Sequence, residues 1–444
     1  MTRVSKALVY LGVVAVVLGL SKVHAAFIAD TPYDFTGSSR FGWAIGYMAV
    51  LGFAAYGFGL PELPRTRRDR HLAAIWAAVV AALAVSVAQL AVGDALLPRF
   101  VVLGSALVLI DWFSLCSWFA TRDRSAAEGK ERVVVVAAAG DASSLEEDLG
   151  LVPERPAQIV GTMTFLEARS QSPLGQPLVA LAKTTAATIV VLDVQAQAEP
   201  SVVSQAALLH QDGVRVRTLS LFYEQWLGKL PAAELERVSL LFDIGELHRA
   251  RYGRLKRVMD LCLALVMTVP LLVVTPLVWL GDRIANRGPL FYRQERVGKR
   301  GRRFEILKYR TMTPGEGDSS HNEWTTEDDP RITPFGRFLR RTHLDELPQV
   351  LNLLRGDLSV VGPRPEQPGY VEELIHKLPF YDVRHLVRPG ITGWAQVKYG
   401  YAGDETDALE KLQYDFYYLR HQGLSFDARI MGRTVRHVLG GGGR

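Results

Sequence analysis

Four long apolar stretches open the chain and are separated by short polar segments. They cover residues 7–28, 41–60, 72–92 and 100–120. Each is about 20 residues long, which is the length that a helix needs to cross the hydrocarbon layer of a membrane. No clean small-residue cleavage site precedes a soluble domain, and three more stretches follow the first. The pattern therefore predicts four transmembrane helices rather than a signal peptide.

Basic residues are distributed unevenly around these four stretches. One side has only Lys22, Arg40 and Arg99. The other side has Arg3, Lys6, Arg65, Arg67, Arg68, Arg70, Arg122, Arg124, Lys130 and Arg132. Because Lys and Arg collect in cytoplasmic loops, we expect both ends of a four-helix domain, residues 1–121, to lie in the cytoplasm. Asp111 falls within the fourth stretch, where a carboxylate is a candidate functional group or a residue that faces the bundle interior.

Short β-branched runs alternate with helix-forming stretches between residues 122 and 250. The runs are residues 133–137, 158–161, 188–193 and 214–219. This alternation predicts a parallel, Rossmann-like α/β domain. A dinucleotide site needs a glycine-rich turn after the first strand, and here that turn has the single glycine Gly140. We therefore expect a structural or regulatory domain that binds no nucleotide.

A fifth apolar stretch, residues 255–280, is also long enough to cross a membrane. Pro270 and Pro276 interrupt it, and proline removes a helix hydrogen bond and kinks the axis. Both flanks are basic, so a crossing would leave one basic cluster outside. The length alone predicts a fifth transmembrane helix. The prolines and the basic flanks instead favour a re-entrant helix that bends near Pro270.

Three charged residues at the start of this stretch would then lie at the membrane interface. They are Lys256, Arg257 and Asp260. The basic pair suits anionic lipid headgroups or a polyprenyl phosphate.

The overall composition agrees with a chain that is only partly embedded in a membrane. Of its 444 residues, 48% are hydrophobic and 22% are charged, with a net charge of +5. This balance excludes a bare membrane bundle and a disordered chain. Cys116 and Cys262 each lie in an apolar stretch, with no cysteine–histidine cluster nearby. A disulfide scaffold and a structural zinc site are therefore excluded.

Charged motifs become dense after residue 288. Residues 291–301 predict a basic strand–turn–strand, and the next strand ends with Lys308 and Arg310. These two side chains share a face because residues two apart on a strand point the same way. Residues 314–327 are polar and lack apolar periodicity, which predicts a mobile loop.

Asp345 and Glu346 stand just before apolar residues at helical spacing, with Pro348 in the first turn. The helix dipole favours ionised carboxylates and a phosphate at this position. Arginines flank the pair in the sequence: Arg337, Arg340, Arg341, Arg364 and Arg388. One carboxylate could attack phosphorus or hold Mg²⁺ while the arginines neutralise phosphate oxygens. From the residues alone, a helix-capping acidic pair with solvated arginines fits equally well.

Seven motifs follow one another from about Lys256 to the C-terminus. They are Lys256-Arg-x-x-Asp260, the proline-broken apolar stretch, Gly288-Pro-Leu-Phe-Tyr-Arg-Gln-Glu-Arg-Val-Gly298, Lys308-Tyr-Arg-Thr-Met312, Leu344-Asp-Glu-Leu-Pro-Gln349, Gly356-Asp-Leu-Ser-Val-Val-Gly-Pro-Arg-Pro365 and Pro389-Gly-Ile-Thr-Gly-Trp-Ala-Gln396. This ordered set resembles the bacterial sugar transferases, which are monotopic phosphoglycosyl transferases that initiate exopolysaccharide, capsule or O-antigen synthesis. The first half resembles the large subclass, which places four transmembrane helices and a Rossmann-like domain before the catalytic domain.

The resemblance implies an α/β catalytic domain, residues 251–444, with a re-entrant membrane helix at about 255–282. It implies a multi-pass protein of the bacterial inner (cytoplasmic) membrane whose catalytic domain is cytoplasmic. The reaction would transfer a sugar 1-phosphate from a UDP-sugar to undecaprenyl phosphate, releasing UMP and forming undecaprenyl-diphospho-sugar. Asp345 would attack the β-phosphorus to form a phosphosugar–aspartyl intermediate, which the lipid phosphate then resolves. Glu346 would help to hold Mg²⁺.

The resemblance also sets expectations for ligands and partners. The expected phosphate ligands are Lys308, Arg310, Arg337, Arg340, Arg341, Arg364 and Arg388. UDP-glucose and UDP-galactose are the common donors for this architecture. The four-helix unit and the middle domain offer surfaces for a homodimer, downstream glycosyltransferases are candidate partners, and no nucleic acid is expected. The alternative function is a catalytically silent membrane scaffold or regulator of a polysaccharide assembly complex.

Overall fold

The chain forms two compact units. The computed structural model describes residues 2–61, 67–92, 96–122, 131–151, 157–170, 175–231, 249–285, 289–313, 331–378, 380–399 and 405–439. One unit consists of Met1–Arg124, Gly245–Ala408 and Tyr418–Arg444, and the other of Ser125–Ile244 and Leu409–Tyr417. The division into domains 1–121, 122–250 and 251–444 stays a prediction. The predicted mobile loop, residues 314–327, lies outside the described residues.

Each of the four predicted spans is a helix. Their bounds are α1 (Thr2–Val23, continued by a π-helix at His24–Ile28), α2 (Ser39–Gly57), α3 (Arg67–Val92) and α4 (Arg99–Arg122). Among the described helices, four are long and apolar enough to cross a membrane, with these apolar parts: Val4–Ile28, Arg70–Gln89, Arg99–Ala120 and Tyr252–Arg283. The second predicted span, α2, is not among them, yet its Leu51 is buried in the same core as α1, α3 and α4.

Small side chains allow these helices to approach closely. The buried face of α3 is made of alanines three or four residues apart: Ala73, Ala74, Ala77, Ala78 and Ala81. All but Ala78 share one hydrophobic core with the larger Leu51 of α2 and Phe113 of α4. Small residues at helix contacts are typical of membrane bundles, because van der Waals packing rather than the hydrophobic effect holds such helices together.

The second unit is an α/β fold around a four-stranded parallel sheet of order β2-β1-β3-β4. Its elements are β1 (Glu131–Val136), α5 (Ala139–Leu151), β2 (Ala157–Met163), α6 (Phe165–Ala168), α7 (Pro177–Thr184), β3 (Ile189–Leu192), α8 (Val194–Ala198), α9 (Pro200–Gln211), β4 (Arg215–Thr218) and α10 (Leu219–Phe222, continued by a π-helix at Tyr223–Leu227). Strands β1 and β3 are buried on both faces, as expected when helices cover both sides of a parallel sheet. The four predicted strands and their parallel pairing are confirmed.

A buried lysine links two distant segments of the second unit. Lys229 Nζ lies 2.7 Å from Asp148 Oδ1 on α5 and 2.6 Å from Glu410 Oε1. The Lys229 side chain is only 2% exposed, so its ammonium group is paired with these two carboxylates inside the unit. Glu410 belongs to residues 409–417, which therefore form part of this unit although they lie far along the chain.

The motif-rich second half, apart from residues 409–417, completes the first unit. Its elements are α11 (Arg249–Ala285), β5 (Phe291–Val297), a 3₁₀ turn (Lys299–Gly301), β6 (Arg303–Tyr309), α12 (Pro334–Arg341), a 3₁₀ helix (Leu344–Gln349), α13 (Val350–Arg355), β7 (Ser359–Val361), α14 (Pro368–Lys377), a 3₁₀ helix (Tyr381–Leu386), β8 (Gly390–Thr392), α15 (Trp394–Lys398), α16 (Glu405–Arg420) and α17 (Leu424–Leu439). Strands β5 and β6 form the predicted antiparallel hairpin. Strands β7 and β8 form a short parallel pair.

One face of helix α11 packs against the other elements of this second half. It is one continuous helix that includes both Pro270 and Pro276. On its inner face, Ala264, Leu271 and Val278 are buried in a cluster with residues of β6, α12 and α13. The opposite face is apolar and exposed, with leucines that are 65%, 68% and 64% exposed at Leu265, Leu272 and Leu277. Such a face is suited to contact with lipid.

Candidate active site

The acidic pair lies in a tight turn that leads directly into a helix. Asp345 and Glu346 belong to the 3₁₀ helix Leu344–Gln349, which α13 continues. His343 starts the turn with a φ of 55°. The prediction that the pair precedes a helix is confirmed. The first turn is 3₁₀ rather than α because Pro348 has no N–H to bond to the Leu344 carbonyl.

Lys308 forms an ion pair with Glu346, the second carboxylate of the Asp345–Glu346 dyad. Its Nζ lies 2.7 Å from Glu346 Oε1. Asn352, which is fully buried on α13, links this helix to strand β6. Its Oδ1 accepts a hydrogen bond from Leu307 N at 3.1 Å, and its Nδ2 donates to Glu305 O at 2.7 Å. The strand that carries Lys308 is thereby locked against the helix that follows the dyad.

The two carboxyl groups differ in their affinity for protons. Burial alone would raise the pKa of Glu346, but the positive charges of Lys308 and Arg364 outweigh it and lower the pKa to about 2. Burial raises the pKa of Asp345, and the neighbouring negative charge of Glu346 adds to this effect. Lys308 and Arg340 oppose it without reversing it. Neighbouring carboxyl groups with divergent pKa values are typical of catalytic pairs with distinct roles.

Helix α12 brings Arg340 to the dyad. It approaches the end of β6 so closely that a Cβ atom at Gly336 would overlap the carbonyl oxygen of Thr311. Arg340 Nε donates to Thr311 Oγ1 at 2.9 Å, which fixes the guanidinium beside Asp345. Arg337 and Arg341 lie on the same helix and are exposed. A glycine at position 336 is therefore a requirement of the site's geometry.

Two glycine-rich loops present the remaining motif arginines. Gly362 N donates to Thr392 O, and Gly390 N donates to Pro363 O, both at 2.9 Å. A Cβ atom at Gly390 would overlap Gly362 N, so the two backbones touch. Consequently the loop that carries Arg364 lies directly beside the loop that carries Arg388.

The structure brings three of the predicted phosphate ligands close to the dyad. Lys308, Arg340 and Arg364 each lower the pKa of at least one of its members. Arg310 Nε donates to Pro289 O at 3.1 Å. Arg337 and Arg341 are exposed on α12, and Arg388 is half-buried in its loop. A role in phosphate binding stays a prediction for all seven residues.

The predicted interface residues of α11 make internal contacts. Lys256 Nζ lies 2.8 Å from the buried carboxylate of Asp427 on α17. Arg257 donates to Leu354 O at 2.9 Å, at the end of α13. Asp260 is fully buried rather than at the surface, because its Oδ1 accepts hydrogen bonds from Ser359 Oγ and Val360 N, both at 3.0 Å. These residues attach the apolar helix to β7, α13 and α17, and lipid-phosphate binding there stays a prediction.

Two supporting residues escaped the sequence analysis. Asn352 interrupts the apolar pattern of α13, which was the available signal of a buried polar role. Arg384 is buried, and its Nη2 donates to Arg364 O at 3.1 Å, which fixes the backbone of that motif loop. Nothing in its local sequence distinguishes Arg384 from a surface arginine.

The acidic pair also fits the chemistry of a magnesium site. In the described part of the chain, no three His, Cys, Asp or Glu side chains converge on one point. Mg²⁺, however, is commonly bound by one or two carboxylates together with substrate phosphates and water. Asp345 and Glu346 supply two adjacent carboxylates, of which Glu346 stays ionised at neutral pH. The donor set is therefore adequate once a diphosphate is bound.

Comparison with known proteins decides the family. The family model described as bacterial sugar transferase matches residues 251–441. A UDP-glucose:undecaprenyl-phosphate glucose-1-phosphate transferase of Caulobacter vibrioides is 38% identical over 197 residues, which are 44% of this chain and 73% of that protein. The chain belongs to the bacterial sugar transferase family.

Two further sugar transferases match over a similar length. One is a UDP-N-acetylgalactosamine-undecaprenyl-phosphate N-acetylgalactosaminephosphotransferase of Aeromonas hydrophila, 42% identical over 196 residues, 43% of this chain and 45% of that protein. The other is a UDP-glucose:undecaprenyl-phosphate glucose-1-phosphate transferase of Escherichia coli K12, 42% identical over 188 residues, 41% of this chain and 39% of that protein. The match thus spans less than half the length of these two relatives.

Proposed function

We propose that this sugar transferase transfers a sugar 1-phosphate from a UDP-sugar to undecaprenyl phosphate, releasing UMP. The product, undecaprenyl-diphospho-sugar, would start an exopolysaccharide, capsule or O-antigen. The main support is the Asp345–Glu346 pair, which lies beside the positive charges of Lys308, Arg340 and Arg364. The relatives named above are transferases between these two classes of substrate.

The reaction proceeds in two displacements at one phosphorus atom. A carboxylate oxygen of Asp345 attacks the β-phosphorus of the UDP-sugar, and the bond to the bridging oxygen breaks, so that UMP leaves with that oxygen. An oxygen of undecaprenyl phosphate then attacks the same phosphorus, and the bond to Asp345 breaks. A covalent intermediate divides one difficult transfer into two easier ones. Cationic side chains near the dyad stabilise the charge on the phosphoryl oxygens at each step.

Glu346 would help to hold Mg²⁺ against the diphosphate. The ion, when bound, neutralises phosphate charge and helps the leaving group to depart. The low pKa of Glu346 keeps that carboxylate ionised and available over the physiological pH range.

We further infer that α11 is re-entrant and that the active site lies at the cytoplasmic surface of the bacterial inner membrane. Near one end of α11, Asp260 bonds to β7. Farther along, Thr275 Oγ1 lies 2.6 Å from Tyr309 OH of β6, and Gly281 abuts Phe335 of α12. Because one α/β layer contacts α11 near both ends, the helix would enter and leave on the same side, with a bend near Pro270. The middle domain would be a Rossmann-like domain without nucleotide.

The function is tested by measuring UMP release from UDP-glucose, UDP-galactose and UDP-N-acetylgalactosamine. Full-length protein in lipid nanodiscs with Mg²⁺ and undecaprenyl phosphate is the sample. We expect UMP from one donor together with a lipid-linked sugar diphosphate as product. Folded protein that releases no UMP from a wider set of UDP-sugars would instead support the scaffold alternative.

A further inference from the structure

Helix α17 lies between two parts of the first unit. On one side are helices α1–α4, which we call the membrane bundle. On the other side are the loops that carry Arg364 and Arg388, which we call the arginine loops. One face of α17, formed by Ala428, Arg429, Gly432 and Val435, meets the bundle. These positions recur at helical spacing, and Val435 packs against the bundle's hydrophobic core. Helix α17 thus packs against the bundle that helices α1–α4 form.

The backbones of α2 and α17 touch at a pair of glycines. A Cβ atom at Gly432 would overlap the carbonyl group of Gly57, the last residue of α2. A Cβ atom at Gly57 would lie 2.9 Å from Ala428 O. Because no side chain separates the helices here, a displacement of one backbone must displace the other.

A polar contact sits beside the glycine crossing. Arg429 Nη2 donates to Tyr56 OH at 3.0 Å, and the guanidinium lies 5.7 Å from the centre of the Tyr56 ring. This contact fixes the rotation of α17 about its own axis relative to the end of α2. Glycine packing alone would set the distance between the helices and leave their rotation less constrained.

The other face of α17 contacts the strands that adjoin the arginine loops, β7 before Arg364 and β8 after Arg388. Thr434 Oγ1 lies 2.6 Å from Thr392 Oγ1, at the end of β8. Arg433 lies over the ring of Trp394 at 4.8 Å, and Phe426 packs edge-on against that ring at 4.9 Å between centroids. Strand β8 pairs with β7, and the loops of Arg364 and Arg388 extend from this pair.

We propose that the membrane bundle acts as a positioning element for the phosphate-binding arginines, through α17. Tyr56, Gly57, Arg429 and Gly432 are positioning residues in this scheme. They contact no part of the dyad, and they set where the Arg364 and Arg388 loops lie. Charged groups stabilise a phosphoryl transition state only within about 0.5 Å of the productive geometry, so small shifts of α17 matter. The inference rests on the proposed function.

The experiment compares two glycine-to-valine variants of the full-length protein in nanodiscs. Gly432→Val inserts a side chain into the α2–α17 crossing. Gly46→Val, on α2, is the matched control, because a Cβ atom at Gly46 would meet nothing within 4 Å. We expect Gly432→Val to lower kcat/KM for the UDP-sugar by about tenfold or more, and Gly46→Val to retain wild-type values.

Arg429 provides a second test that does not depend on tolerance of a bulky side chain. Arg429→Ala should lower kcat/KM by about threefold to tenfold, and Arg429→Lys should recover part of that loss. Tyr56→Phe should add nothing to Arg429→Ala, because both remove the same contact. Full activity of Arg429→Ala would overturn the proposal.

A double-variant cycle separates positioning from a general loss of stability. If α17 acts through the two arginine loops, adding Gly432→Val to a protein that already carries Arg364→Ala and Arg388→Ala should cause little further loss of activity. Losses that multiply would show that the crossing acts elsewhere and would overturn the inference. Wild-type protein that releases no UMP contradicts the proposed function itself. Active wild type with an equally active Gly432→Val contradicts only the inference about the bundle.

Discussion

Lys308 Nζ lies 2.7 Å from Glu346 Oε1, and this contact joins two motifs that are 38 residues apart in the sequence. The lysine stabilises the ionised form of Glu346, whose pKa falls from an ordinary 4.5 to about 2. The same charge also lowers the pKa of Asp345, against the larger effect of burial. One side chain therefore favours the ionised form of both members of the candidate catalytic pair.

Lys308→Met should move the acid limb of the pH–rate profile to higher pH. Without the lysine, the pKa values of Glu346 and Asp345 both rise, so each becomes protonated sooner as the pH falls. The lowered pKa of Glu346 also stabilises the folded protein above pH 4.5, and this contribution is lost as the pH falls towards about 2. The measurement is log(kcat/KM) against pH, with Lys308→Arg as the matched control that keeps the charge. Identical acid limbs for Lys308→Met and wild type would contradict this role.

Asp345→Asn should abolish the covalent step while keeping the shape of the side chain. We expect UMP release to fall by roughly 10³-fold or more, because the amide is not a nucleophile at phosphorus. With a sugar-labelled UDP-sugar and no lipid acceptor, wild-type protein should retain acid-labile label and Asp345→Asn should retain none. The exposed Asp382, in the 3₁₀ helix Tyr381–Leu386, provides the control Asp382→Asn. Label on Asp345→Asn would assign the nucleophile to another residue.

Gly390→Ala should damage the site through packing rather than chemistry. The new Cβ atom would overlap Gly362 N, so the β7–β8 pair and the two arginine loops must separate. We expect a loss of kcat/KM of about tenfold or more and a shorter half-life at elevated temperature. Gly140→Ala, where a Cβ atom meets nothing within 4 Å, is the control and should match wild type. Wild-type activity and half-life in Gly390→Ala would show that this close approach is dispensable.

Cysteine labelling tests the topology of α11. Arg254→Cys places a thiol on an exposed position near the start of α11, and Arg293→Cys places one on an exposed position of β5, the strand after α11. Both are made in a background where the native exposed cysteine is changed by Cys262→Ser. A re-entrant helix predicts that an impermeant maleimide labels both in inside-out vesicles and neither in intact spheroplasts. Thr31→Cys, exposed between α1 and α2, should show the reverse pattern. Labelling of positions 254 and 293 from opposite sides of the membrane would establish a crossing helix instead.

Much of the local structure was predictable because it depends on residues that are close in the chain. The four apolar stretches, the four β-branched runs and the β5–β6 hairpin all appear where periodicity places them. The position of Asp345 and Glu346 before a helix follows from Pro348 and the apolar spacing after it. The 3₁₀ form of that turn was not predicted, since it reflects the missing N–H of Pro348 in its particular context.

The contacts that make the site were less accessible to sequence reasoning. Asp260, which was expected at the membrane interface, is fully buried against β7, where its Oδ1 accepts two hydrogen bonds from a distant segment. Arg384 supports Arg364 from 20 residues away. A charged residue's surroundings depend on which segments pack around it, and its own neighbours in the chain carry little of that information.

The sequence by itself determined the element types, the membrane-compatible helices, the order of the motifs and the presence of an acidic pair among basic residues. These properties follow from side-chain periodicity, turn chemistry and local charge. Only the tertiary structure decided which cations lie beside Glu346, that α11 is held by Asp260, and that α17 joins α2 to the arginine loops. Each of these is a pairing between distant segments, whose free energy depends on burial and on close backbone approach that form only when the chain has folded.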